Sequence, residues 1–235
     1  MIRKLLIVFA SGLAFAIIAL SSAWLVGGAE MRRYFDRHDS FVIGHGDDKG
    51  PRSSRTFAFT GDGALTINMP VELSFTRGPA GQMVVTGPAK AIEALRWNNG
   101  VLDTASHFSL RGGGITVAIT APQLPRLEMN GPADVKLTDL DQPSLAFTAN
   151  GATNLNASGK VNTLSLEANG AADLDLSGVE ARDATVRISG VGNAEIAATG
   201  RVDSEISGAG NLTLHRKPAS LKSRISGVGS VDHDY

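Results

Sequence analysis

Leu164-Ser165-Leu166-Glu167-Ala168-Asn169-Gly170-Ala171-Ala172-Asp173-Leu174-Asp175-Leu176 decides the fold of this chain. Six, four and two residues before Gly170 stand Leu164, Leu166 and Ala168; four and six after it stand Leu174 and Leu176. Successive side chains of a β-strand point to opposite sides, so apolar residues at every second position describe a strand with one buried face. The same places hold Leu145, Phe147, Ala149, Leu155 and Ala157 around Gly151, and Ala184, Val186, Ile188, Ala194 and Ile196 around Gly190. The glycine returns as Gly131, Gly151, Gly170, Gly190, Gly208 and Gly227, at intervals of 20, 19, 20, 18 and 19. Asn130, Asn150, Asn169, Ser189, Ser207 or Ser226 precedes it, and Asp134, Asn154, Asp173, Asn193, Asn211 or Ser230 follows three positions on.

A fixed period near twenty marks a solenoid, in which each repeat is one coil and touches only its neighbours. Each coil reads as strand, Gly-centred corner, strand, then a second turn such as Ser158-Gly159 or Ser177-Gly178. One coil alone buries too little apolar surface to offset the entropy of ordering its backbone. Stacking adds ladder hydrogen bonds above and below, at a strand spacing of about 4.8 Å. The chain is therefore expected to be all-β, a parallel β-helix or β-solenoid of about 19–20 residues per coil. The corner glycines are expected to take positive φ. Asn130, Asn150 and Asn169 are expected to form an amide ladder along one edge. Turn chemistry is the expected role of these Asn, Asp and Ser columns, the alternative being an exposed ligand-binding stripe or a calcium site. Calcium-binding nonapeptide repeats have half this spacing and a different pattern, which is absent.

Outward from the repeats the chain changes character. Residues 127–235 form the regular coils, and residues 55–126 are strand-like but irregular, as in Phe57-Ala58-Phe59, Val71-Glu72-Leu73-Ser74-Phe75 and Ile115-Thr116-Val117-Ala118-Ile119. This part reads as decayed repeats of the same solenoid that cap one end, with Trp97 closing the core and Lys90 to Leu95 as one short helix. Residues 30–54 mix charges with Gly and Ser and read as a polar linker. Residues 1–29 begin Met1-Ile2-Arg3-Lys4 and continue as an uncharged, mainly apolar run from Leu5 to Ala29. A helix of that length spans about 37 Å, enough to cross a hydrocarbon core of about 30 Å. It reads as a signal-anchor or transmembrane helix, the alternative being a signal peptide cleaved after Ala23 or Ala29. Arg3 and Lys4 on one side are nearly balanced by Arg32, Arg33 and Arg37 on the other. The short basic start favours export. At the other end the last coil stops at Tyr235, and an open stack of strand edges invites pairing with another chain. Either His233, Asp234 and Tyr235 blunt that edge, or it is a surface for self-association.

Chemistry is sparse. Formal net charge is −1 with scattered charges, which gives no support to nucleic-acid binding. His38, His45, His107, His215 and His233 share no metal-ligand spacing. Asp173 and Asp175 are the best acid pair, two apart on one strand and so on one outward face. Paired carboxylates can serve in glycoside cleavage, given a groove and the right separation. The matching places in neighbouring coils are Asn154 and Asn156, then Asn193 and Glu195, a small and repetitive outer face that reads as solvated decoration. Gly112-Gly113-Gly114 has no following helix or Lys-Ser/Thr pair and is a turn. No catalytic, cofactor-binding or metal residue is assigned.

The coils Ile188-Ser189-Gly190-Val191-Gly192-Asn193, Ile206-Ser207-Gly208-Ala209-Gly210-Asn211 and Ile225-Ser226-Gly227-Val228-Gly229-Ser230 resemble the putative auto-transporter adhesin head domain known as the GIN domain. The stretch from Phe57-Ala58-Phe59 to Leu127-Glu128-Met129-Asn130-Gly131 resembles that family's opening half, so the resemblance spans roughly residues 55–235. It implies a bacterial envelope protein of pectin-lyase-like shape, without catalytic residues or cofactors, working in adhesion. The chain departs from an auto-transporter plan, having no room for a C-terminal membrane barrel. The expected protein is thus a non-enzymatic adhesion, binding or scaffold module, anchored in the inner membrane and facing the periplasm. A cleaved, periplasmic or surface form is the alternative location. Its expected partners are the membrane, through the N-terminal helix, and a protein or envelope glycan. A self-assembling structural protein is the second reading, and a carbohydrate-active enzyme the third.

Overall fold

Alternating apolar residues produce strands through most of the computed structural model, which describes residues 51–105 and 114–235. The apolar run Leu5–Ala29 and most of the linker, with His38 and His45, lie outside the described residues, as do His107, Gly112 and Gly113. The first half contains Arg52–Ala58 (β1), Ala64–Ile67 (β2), Val71–Arg77 (β3), Gln82–Pro88 (β4), the helix Ala89–Glu93 (α1), Leu95–Asn98 (β5), Val101–Thr104 (β6), Ile115–Ala121 (β7) and Arg126–Met129 (β8). The second half contains Ala133–Ala149 (β9), Ala152–Ala168 (β10), Ala171–Ile188 (β11), Val191–Ala198 (β12), Arg201–Ile206 (β13), Ala209–Leu214 (β14), Ser220–Ile225 (β15) and Val228–His233 (β16).

The second half is the expected parallel β-solenoid. Strands β9, β10 and β11 each run through two sides of a coil, and they stack in register: Asp134, Asn154 and Asp173 align, as do Leu145, Leu164 and Ala184. One side of the stack, sheet A, continues from β11 through β12 and β14 to β16. The other, sheet B, continues through β13 to β15. Alternate residues of each strand face inward, where Phe147, Leu164, Leu166, Leu174, Leu176, Val186, Ile196 and Leu212 are buried. The second turn of each early coil is a bend within one long strand, with a register slip at Asn156/Ser158. Gly159 takes φ +128° there, over the backbone of Leu140.

The corner glycines differ from expectation. None of the six has positive φ; the positive-φ glycines among the described residues are Gly61, Gly81, Gly100, Gly159 and Gly192. Stacking, and not the turn, excludes a side chain. A Cβ on Gly151 would lie 2.5 Å from the carbonyl oxygen of Gly131, and one on Gly131 2.7 Å from that of Met69. On Gly170, Gly190, Gly208 and Gly227 it would collide with the carbonyl oxygen of the glycine one coil earlier. Each glycine thus admits the next winding at a close approach no other residue permits.

The cap also departs from a series of decayed coils. In sheet A the order is β1-β4-β7-β3-β9, and β2 in sheet B lies between β6 and β8. The winding β2–β3 is made first and then enclosed: β6–β7 stack on one side of it and β8–β9 on the other. To do so the chain crosses back after Ala121 through Pro122-Gln123-Leu124-Pro125. Gln142 holds this crossing. Its side chain is buried, its Oε1 accepts from the N–H of Leu124 at 2.8 Å, and its Nε2 donates to the carbonyls of Leu124 (2.8 Å) and Ser144 (2.7 Å). Two antiparallel elements finish the cap. β4 pairs with both β7 and β1, and β5 turns into β6 at Asn99-Gly100, with φ of 48° and 81°. Two consecutive positive φ values make the tight turn whose twist matches a hairpin. The expected short helix is α1, which buries Ala91 and Ile92. Trp97 packs against Phe57 and Phe59, at 6.1 and 6.3 Å between ring centroids, and closes this end as expected.

Candidate functional site

The surface most unlike a structural wall is the outer face of sheet A, because parallel stacking turns every outward residue into a column. One column runs Thr116, Glu72, Asp134, Asn154, Asp173, Asn193, Asn211, Ser230. Beside it run Ala118, Ser74, Lys136, Asn156, Asp175, Glu195, Thr213, Asp232. Between Glu72 and Asp175 the two columns floor an open groove of about 410 Å³.

Carboxylates and amides alternate from Asp134 to Asn193, and this order has an electrostatic reason. Like charges directly opposite on neighbouring strands repel, whereas an amide donates to the carboxylate beside it. Asn154 Nδ2 donates to Asp134 Oδ1 at 2.9 Å, and Asn156 Nδ2 to Asp175 Oδ2 at 3.1 Å. Asn211 Nδ2 donates to Asn193 Oδ1 at 3.3 Å, and the Ser230 N–H and hydroxyl to Asn211 Oδ1 at 3.1 and 3.0 Å.

The acid pair Asp173 and Asp175 is placed on this face as the sequence implied. Asp175 is engaged on both oxygens: besides Asn156, its Oδ1 accepts from the N–H of Ser177 at 3.0 Å and the hydroxyl of Ser177 at 2.6 Å. That is the geometry of a turn residue satisfying local backbone. Two acids adjoin at Glu72 and Asp134 and again at Asp175 and Glu195, and at the second pair Glu195 Oε2 lies 2.7 Å from Nε2 of His215. The other ring nitrogen of His215 lies 3.2 Å from Asp234 Oδ2. The two carboxylates thus flank opposite edges of the imidazole and do not converge on one point. His233 meets Tyr235, Nδ1 to hydroxyl 2.9 Å.

A second ladder follows the corner between the sheets. Asn130, Asn150 and Asn169 form the expected amide ladder, with Nδ2 of Asn150 donating to Asn130 Oδ1 at 2.6 Å and that of Asn169 to Asn150 Oδ1 at 2.9 Å. It begins one rung earlier, at Asn68, which accepts from Asn130 at 2.7 Å. Asn68 escaped the sequence pattern because Met69-Pro70 follows it in place of glycine. The outer face of sheet B is charged, and Thr185, Arg187, Asp203, Glu205, Lys222 and Arg224 line a shallow opening of about 250 Å³. Among the described residues no helix is long and apolar enough to cross a membrane, and the run Leu5–Ala29 lies outside them.

A rod of parallel windings, a mixed cap at one end and ladders of small polar groups along its faces define a β-solenoid of the adhesin-head type. The chain belongs to the family described as putative auto-transporter adhesin, head GIN domain, whose model matches residues 63–218. Among solved structures it is similar to a putative adhesin from Bacteroides fragilis NCTC 9343, with 16% identity and a TM-score of 0.60, covering 79% of this chain and 98% of that one. At that identity the likeness speaks to the fold alone. Weaker likenesses are a putative adhesin from Parabacteroides merdae ATCC 43184 (13% identity, TM-score 0.42, covering 79% of this chain and 97% of that one) and a putative lipid binding protein from Parabacteroides distasonis ATCC 8503 (15%, 0.45, 80% and 98%). No curated protein matches the chain.

Proposed function

We propose that this protein is a non-enzymatic adhesion module of the bacterial cell envelope. Its rod presents the Asp/Asn columns of sheet A to a protein or envelope glycan, and the apolar run Leu5–Ala29 holds it to the inner membrane with the rod in the periplasm. The observation that carries this reading is family membership over residues 63–218. The site agrees with it. The groove floored by Asp134, Asn154, Asn156, Asp173 and Asp175 is open and repetitive, and its best-placed acid, Asp175, is taken up by Ser177 and Asn156. Rows of amides and carboxylates at strand spacing can bond a repeating polar chain by matching its period, without any convergent catalytic geometry.

Location is tested by a reporter fused after Tyr235, combined with protease treatment of intact cells and of cells whose outer membrane has been opened. Cleavage only after opening is expected; protection in both states would remove an envelope role. Binding is tested with isolated envelope glycan and the full chain in detergent. Loss of retention on replacing Asn154, Asn156 and Asp173 by Ala is expected, and retention equal to the parent chain would move the binding face elsewhere.

A further inference from the structure

The last winding repeats the core pattern of its neighbours with nothing above it among the described residues. Val202, Ile206 and Leu212 are wholly buried, while their register partners one coil on, Leu221 and Ile225, are 37% and 43% exposed, and Val231 is only partly covered. β15 and β16 are the outermost strands of sheets B and A, so each offers an unpaired row of backbone N–H and C=O groups. The tail does not close this edge. Asp234 N–H donates to the carbonyl of Leu214 at 2.9 Å and its carboxylate meets His215, which holds the tail to the winding beneath.

The two edges carry opposite charge. Outward positions of β15 are Ser220, Lys222 and Arg224; those of β16 are Val228, Ser230 and Asp232, followed by Asp234. Meeting like with like would set Lys222 and Arg224 against their own copies. Meeting unlike edges can set Lys222 opposite Asp232, with Arg224 on the neighbouring diagonal.

We propose that this end is the contact between two copies of the chain, tail to tail, with β15 of each pairing antiparallel to β16 of the other. A two-fold axis across the rod produces that pairing twice. The chain travels one way along sheet A and back along sheet B, so rotation brings unlike strands together in opposite directions. An isologous contact of this kind closes at a dimer and does not grow into a filament. A register with Lys222 opposite Asp232 places Arg224 opposite Ser230 and Ser223 opposite Val231, and keeps Leu221 and Ile225 on the core side. Two six-residue strand pairs add on the order of ten ladder bonds, and the exposed ends of both cores become one.

The chain contains no cysteine, which allows a direct test on the full chain in detergent. Lys222 and Asp232 lie on opposite sheets and point outward, so cysteines there cannot bridge within one copy. A short bis-maleimide is expected to join the Lys222→Cys/Asp232→Cys chain into a covalent dimer and to leave each single variant monomeric. Cross-linking of either single variant would mean that like edges meet, and would overturn this arrangement. Sedimentation supplies the second measurement. Lys222→Asp is expected to weaken the dimer roughly tenfold and Lys222→Asp/Asp232→Lys to restore it. A parent chain that stays monomeric to about 100 µM, or a dimer indifferent to these charges, would overturn the proposal.

Discussion

At the scale of single residues, the corner glycines show how a repeat can be legible while its cause is not. Gly190 recurs in step with its neighbours because a Cβ there would strike the carbonyl oxygen of Gly170. That contact joins residues twenty apart, and no local preference of the chain for a turn reveals it. Gly190→Ala is accordingly expected to lower stability by about 3 kcal/mol, since a close-packed stack has no room to move aside. Gly63→Ala, where a Cβ meets nothing within 4 Å, is expected to change it by less than about 0.5 kcal/mol. Chemical denaturation of the two variants checks both. Asp183 makes a separate prediction. Its carboxylate accepts from the N–H of Arg201 at 2.8 Å and from Arg182 at 3.0 Å; the backbone bond, then the Arg182 bond, holds its pKa below the ordinary 3.8. A carboxyl whose folded pKa is lowered contributes stability above its unfolded value and loses it as pH falls through the folded one. The stability advantage over Asp183→Asn should therefore be constant at neutral pH and shrink on acidification below 3.8, read by thermal unfolding across pH.

At the scale of elements, period-two alternation reported the strands of residues 127–235 because in them one face is buried and one is wet. The same rule left the cap as irregular coils. There the deciding residues act singly: Asn99-Gly100 closes the β5–β6 hairpin, and Gln142 fixes the crossing that sends the chain back past β2 and β3. The first was available as a hairpin signal; the second is one glutamine among polar neighbours, meaningful only once Leu124 is beside it. Gln142→Ala removes three hydrogen bonds and leaves a buried N–H and carbonyl of Leu124 without partners. It is expected to cost about 3 kcal/mol, and Gln142→Glu, which keeps the acceptor but loses the donor, nearly as much. Differential scanning calorimetry measures either. The site divides in the same way. The Asp and Asn columns follow from spacing, but the pairing of Glu195 with His215 joins sheet A to a loop one winding later, and no motif connects them.

At the scale of the whole molecule, windings after the cap touch only their neighbours, and such stacks have stabilities close to a sum over repeats. Removing residues 170–189 brings β10 against β12 and β13 in matching register. A folded, shorter rod is expected, with its β-sheet circular dichroism retained and a single melting transition. Removing residues 78–100 takes away β4, α1 and β5 and is expected to abolish cooperative melting, since β1 then has no partner. The enclosed position of the β2–β3 winding has a consequence for biosynthesis. This layer leaves the ribosome ahead of both its neighbours: one rim stays bare until β6 and β7 emerge, and the other until β8 and β9 follow. Every later layer is born next to a finished template. The dangerous interval for aggregation is therefore early and brief, and any chaperone that escorts this chain to its destination has its main task there.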